Sequence, residues 1–293
     1  MLPIPTNTSA DLHIIDDIKL VVFDIYGTLL ISGSGEVGSL TESGGNKTIY
    51  PDFYGPVAEC NFEINEPSAP FNQRCYQLYR ELIESRHINL KSEDIDFPEV
   101  DILSIWFLLL SDLIKTGTIA GAVNEQSLIE LSLLYEIYNN PTWLMPGAAT
   151  TLEHLHSKNF LLGIVSNAQF YTKIILEALL DRTIEETGFL NSLVSWSFQN
   201  RKAKPSLDLF SSVQIFIQKH SITPQQVVYV GNDMLNDMYT SHQLGYRTIL
   251  FAGDERSLRL RKEKEMLQSF HADAIITGLP QLLYLLNGPR REE

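Results

Sequence analysis

The stretch VVFDIYGTLL, residues 21–30, runs apolar through Phe23, stops on Asp24 and turns through Tyr26-Gly27-Thr28. A short apolar run bounded by turn residues reads as a strand buried within a sheet. Open α/β sheets bind ligands at the carboxyl ends of their strands, so Asp24 stands where a reacting group belongs. Gly27 tolerates backbone angles that let the Tyr26-Gly27-Thr28 turn aim N–H groups at an anion.

Beyond Leu30 the texture changes. Residues 31–70 are rich in Gly, Ser, Asn and Pro and read as a long loop with a short hairpin near Ile49–Phe62. Helical spacing then dominates: Phe71–Ser85, Ile102–Ile114 and Ser127–Tyr138 carry apolar residues at positions that suit helices packing on one another. Tyr76, Tyr79, Trp106, Phe107 and Tyr135 read as their core. From Pro146 onward strands alternate with helices. Strands are expected near Phe160–Val165, Leu193–Phe198, Val227–Val230, Thr248–Phe251 and Ala274–Ile276. Helices are expected at Ala148–Ser157, Tyr171–Leu180, Ser206–Lys219, Leu235–Leu244, Ser257–Gln268 and Leu279–Leu286. This alternation predicts an α/β fold, a doubly wound parallel Rossmann-like sheet. Residues 1–32 and 142–293 are expected to form the sheet domain, and 33–141 an inserted helical domain.

The 293 residues, 44% hydrophobic and 20% charged, suffice for a sizeable core, and the net charge of −14 argues against non-specific binding to nucleic acid or anionic membrane. A small anionic substrate remains compatible with that charge, because a local site can be positive. Cys60 and Cys75 form no CxxC pair and read as reduced thiols of a cytoplasmic protein. The N-terminal MLPIPTNTSADLHIIDD lacks the pattern of a signal peptide.

The other expected strand ends carry Ser166-Asn167 and Gly231-Asn232-Asp233, while Lys204-Pro205 precedes a helix. Together with Asp24 these supply an acid, a small hydroxyl, a cation and an acidic cluster. A carboxylate can act as a nucleophile through a covalent intermediate, with cations and donors holding the charge of the transferring group.

FDIYGTL at residues 23–29, IVSN at 164–167, KPSLDLF at 204–210 and VGNDMLND at 230–237 occur in the order of the motifs of the haloacid dehalogenase superfamily, which the chain resembles. The resemblance covers about residues 15–30 and 145–290. It implies a hydrolase with Asp24 as nucleophile, Ser166 and Lys204 holding the transferring group, and residues 33–141 as a cap domain over the site. Catalytic roles fall to Asp24, Tyr26 and Lys204, and substrate binding to Thr28, Ser166 and Asn167. A Mg²⁺ ion would be held by Asp24, the Tyr26 carbonyl, Asn232 and Asp233.

Two positions depart from the superfamily's phosphatases. Tyr26 stands where they have the aspartate that protonates the leaving group, and a phenol with a pKa near 10 is a poor acid at neutral pH. Asn232 stands where they have an acid, which weakens a Mg²⁺ site. Tyrosine at the first position resembles the true dehalogenases, whose chemistry needs neither proton nor metal. Yet their arginine after the first motif is missing, since residues 31–70 contain no Arg. The sequence leaves three readings: a phosphate monoester hydrolase, a carbon–halogen hydrolase, and a catalytically weakened scaffold that binds a ligand or protein.

Overall fold

Leu20–Phe23 forms the first strand (β1) of a six-stranded sheet, with all four residues buried. The others are β2 (Leu161–Ser166), β3 (Phe189–Trp196), β4 (Val227–Gly231), β5 (Arg247–Phe251) and β6 (Ala274–Ile276). This computed structural model describes residues 1–35 and 50–286. Contact clustering divides the chain into one unit made of Met1–Val37 with Thr142–Glu293 and a second made of Gly38–Pro141.

In the first unit the strand order is β6-β5-β4-β1-β2-β3, every neighbouring pair parallel. The expected parallel sheet is therefore present. β1 lies between β2 and β4, with Phe23 opposite Ile164 on one side and Val230 on the other. The chain builds outward from β1 to β3, then crosses to β4 and builds outward the other way. Such a reversal in strand order opens a crevice at the strand ends beside β1. One face buries Leu20, Val22, Leu209, Phe210, Tyr229 and Leu250 in a common cluster. Just after β1, Leu30–Ser32 pairs antiparallel with Thr142–Leu144.

The expected helix at Ser257–Gln268 is absent. The chain there runs in turns, with a single 3₁₀ turn at Glu265–Leu267. Leu258 and Leu260 pack against the sheet cluster, and the Arg259 N–H donates to Asn232 O (3.0 Å) while Arg259 O accepts from the Met234 N–H (2.9 Å). Apolar residues two apart, alternating with arginines, are an extended pattern. The run SLRLR carried that signal.

In the second unit the long helices are Ser68–Ser92, Ile102–Lys115 and Glu125–Asn139. Two are capped by residues readable in sequence. Asp101 accepts from the Leu103 N–H, and Asn124 and Ser127 cap each other reciprocally. Phe53, Tyr79, Trp106 and Tyr135 form an aromatic core, the Phe53 and Tyr135 rings 4.7 Å apart and those of Trp106 and Tyr135 5.1 Å apart. Phe107, expected in this core, is 50% exposed instead.

The expected loop over residues 31–70 is also more structured where it is described. Tyr54–Glu59 is a helix, and Glu63–Ile64 pairs with Ile119–Ala120 rather than closing a hairpin near Ile49–Phe62. Asn72 Oδ1 accepts from the Phe53 and Tyr54 N–H groups, so a neighbouring helix satisfies donors at this helix's start. Most of the Gly/Ser-rich stretch, 36–49, lies outside the described residues. Cys60 and Cys75 are both free thiols, and burial pushes the Cys60 thiol up to about 11, which makes it a poor nucleophile. No helix among the described residues is long and apolar enough to cross a membrane.

Candidate active site

The Asp24 N–H donates to Val230 O (2.9 Å), so the residue continues the β1–β4 pairing and its side chain emerges where the strands end. Asp24 Oδ1 accepts from the Ser166 hydroxyl at the end of β2 (2.9 Å) and from Lys204 Nζ (2.6 Å). Oδ2 accepts no hydrogen bond from any described residue. The carboxylate is thus fixed by one oxygen and presents the other.

Lys204 reaches the crevice from the segment after β3. Its own N–H donates to Asn167 Oδ1 (2.7 Å), so Asn167 positions the lysine. Nζ contacts Asp24 Oδ1 and Asp237 Oδ1, each at 2.6 Å, and Tyr229 Oη at 3.0 Å. An ammonium has three N–H donors, and here each has its own acceptor. The Tyr229 hydroxyl donates in turn to Val165 O (2.6 Å), tying β4 to β2.

Electrostatics keep the cluster charged where the geometry needs it. Burial works against the Lys204 charge, but Asp237 and Asp24 outweigh it and hold the ammonium well above the usual lysine range. Burial pushes the Asp237 carboxyl up to about 7, against the opposing pull of Lys204 and with help from Asp24. Burial likewise raises the Tyr229 phenol, which stays a neutral donor.

The turn after β4 is organised around the second oxygen of Asp237, which accepts from the Asn232 and Asp233 N–H groups, each at 2.9 Å. Gly231 precedes this turn because a Cβ there would run into the Asp237 carboxylate. Asp233 Oδ1 caps the π-helical turn Met234–Tyr239 through the Leu235 and Asn236 N–H groups (2.8 and 3.1 Å). Its Oδ2 pairs with Arg261, 2.7 Å from Nη2 and 3.2 Å from Nε. Asn232 donates to Ser257 O (2.5 Å) and accepts from the Thr28 hydroxyl (3.2 Å). Tyr26 is buried in the tight loop after β1, where the Gly27 N–H donates to Leu30 O (2.7 Å).

The residues named from sequence therefore divide. Asp24, Ser166 and Lys204 meet in direct contact. Thr28 and Asn167, expected at the substrate, have their side-chain oxygens bonded to Asn232 and to the Lys204 backbone instead. The expected magnesium donors do not fit the ion. Both ends of the Asn232 amide and both oxygens of Asp233 are engaged within the protein, and no group of three or more His, Cys, Asp or Glu side chains among the described residues is arranged for a metal. Asp237, Tyr229 and Arg261 were not among the expected site residues. A tyrosine inside the apolar strand VVYVG is the one mark the sequence gives of Tyr229.

Comparison with known proteins adds a family. Residues 118–251, which contain Ser166, Lys204 and Asn232 but not Asp24, match the family model of haloacid dehalogenase-like hydrolases. The structure of a 2-haloacid dehalogenase from Pseudomonas syringae aligns over 92% of this chain and 97% of its own, with a TM-score of 0.53 and 17% identity. Just under half of the chain is thus similar to the haloacid dehalogenase-like hydrolases, and its fold is similar to that of the dehalogenase. A glyceraldehyde 3-phosphate phosphatase from Pyrococcus furiosus is 25% identical over 154 residues, and the match spans 50% of this chain and 58% of that protein. A superfamily hydrolase from Bacillus subtilis, whose structure holds magnesium, aligns over 92% of this chain with a TM-score of 0.48 and 15% identity.

Proposed function

We propose that this chain is a hydrolase in which Asp24 attacks a small anionic substrate, displaces its alcohol or halide leaving group to form a covalent aspartyl intermediate, and is freed by water. One observation carries the reading: Asp24 Oδ1 is held by Ser166 and Lys204 while Oδ2 is left without a partner among the described residues. A nucleophile needs this asymmetry, one oxygen anchored against a cation and the other open to the electrophile. As the ester forms, the negative charge of Asp24 is lost. The Lys204 N–H that Asp24 accepted is then free to donate to the anionic part of the substrate.

For the transferring group we propose a phosphate monoester, in line with the phosphatase from Pyrococcus furiosus that half of the chain resembles. A second reading, carbon–halogen hydrolysis, is favoured by a different observation. Tyr26 offers no acid at neutral pH, and Asn232 and Asp233 have no free oxygen for a cation. Halide leaves without a proton.

The chemistry of the second step separates the readings. Water attacks phosphorus in an aspartyl phosphate, whereas it attacks the carboxyl carbon of an aspartyl ester of carbon. Single turnover in ¹⁸O-water should place the label in released phosphate for the first and in Asp24 for the second, read by mass spectrometry. A panel of small phosphate esters and 2-halo acids supplies the substrates. Turnover is expected to fall to background in Asp24→Asn, and a variant that keeps its rate would sink the nucleophile. No turnover on either panel, with ligand binding intact, would instead mark a binding scaffold.

A further inference from the structure

We infer that the turn after β4 is closed to divalent cations, and that the Arg261 guanidinium sits on Asp233 in the role a metal ion would otherwise fill. The inference rests on reading this crevice as the active site, and it concerns what neutralises the crevice.

The geometry is specific. A Mg²⁺ ion asks for oxygens with free lone pairs and negative charge. Asp233 has neither to spare: Oδ1 accepts from two N–H groups, and Oδ2 takes Nη2 and Nε of Arg261 at 2.7 and 3.2 Å. Asn232 is held at both ends, by Ser257 O and the Thr28 hydroxyl. Asp24 alone offers an oxygen, and an ammonium lies 2.6 Å from the other oxygen of the same carboxylate. A cation entering here would meet Lys204 and Arg261 together, and would have to displace a charge-assisted pair to gain its second ligand.

Arg261 is not brought to Asp233 by chance contact of a surface side chain. The segment before it pairs with the turn through main-chain bonds, Arg259 N–H to Asn232 O at 3.0 Å and Met234 N–H to Arg259 O at 2.9 Å. Leu258 and Leu260 anchor the same segment in the sheet's core. The alternation of leucine and arginine then points Arg259 and Arg261 away from that core. Asp233 is buried and Arg261 one-third exposed, so the pair is only partly screened by solvent. Arg261 is a positioning residue: it acts through Asp233 and the turn.

The test needs no substrate, so a failed assay of turnover leaves it intact. Thermal unfolding and titration calorimetry of the whole protein are run with MgCl₂ and MnCl₂. Wild type is expected to show no saturable heat and no shift in Tm. Arg261→Gln releases Asp233 and is expected to gain a Tm that climbs with Mg²⁺, while Arg261→Lys, which keeps the charge, responds less. Arg261→Met, which keeps the stem, replaces the glutamine variant where that one does not fold. Saturable Mg²⁺ binding to wild type that is lost in Asp24→Asn would overturn the closed turn. A folded Arg261→Gln or Arg261→Met protein as indifferent to Mg²⁺ as wild type would overturn the role of Arg261.

Discussion

Lys204 joins two buried carboxylates and a buried phenol, with its side chain only 3% exposed. Removing one partner from such a cluster leaves charge uncompensated, which costs far more than the intact cluster contributes. Lys204→Met should lower the unfolding free energy by about 3–5 kcal/mol in urea titrations, as well as ending turnover. The Asp237 carboxyl adds a pH signature. Its pKa is raised to about 7 from 3.8, so between those values the native state holds a proton the unfolded chain has released. Its stabilising contribution is complete below the lower value and is lost as pH climbs through the upper one. The urea midpoint should therefore fall as pH rises from about 4 to about 7, and Asp237→Asn should flatten that fall. Asp24, Ser166 and Lys204 were legible in the sequence because each ends or follows a strand inside a motif. Tyr229 and Arg261 were not. One is hidden among valines, and the other acts through a contact between segments 28 residues apart.

At the scale of elements, the loop after β1 is a tight fit. Gly27 has φ of +81°, and a Cβ there would collide with Ser257 and the Asn232 amide. Gly27→Ala should cost about 1–3 kcal/mol from backbone strain alone. It should also loosen the Thr28–Asn232 bond, which hydrogen exchange at residues 27–30 would detect. The strands were legible from composition, since β1 and β4 are runs of buried apolar residues bounded by turn residues. The segment 257–261 was not read as extended, because its mixed charges resemble a solvated helix face while its leucines pack against the core. The helix at Tyr54–Glu59 was missed for the opposite reason. Its start is satisfied by Asn72 from the next helix, a partner that local sequence does not reveal.

At the scale of the molecule, the two units have separate cores, one around Phe210 and Tyr229 and the other around Phe53 and Trp106. Trp106 is fully buried among aromatic rings. Trp106→Ala should destabilise the Gly38–Pro141 unit by about 3–5 kcal/mol, seen as faster hydrogen exchange there. The alternation of strands and helices made the parallel sheet legible from Pro146 onward, because that rhythm needs no long-range information. The bond between Lys204 and Asp24 spans 180 positions, and its consequence reaches beyond chemistry. The same ammonium that would serve a reaction also ties β1 to β4. A descendant that no longer needed catalysis would still tend to keep both partners, because losing either would destabilise it. The record of an abandoned activity would then be written around the open oxygen of the acid, in whatever grew to cover it.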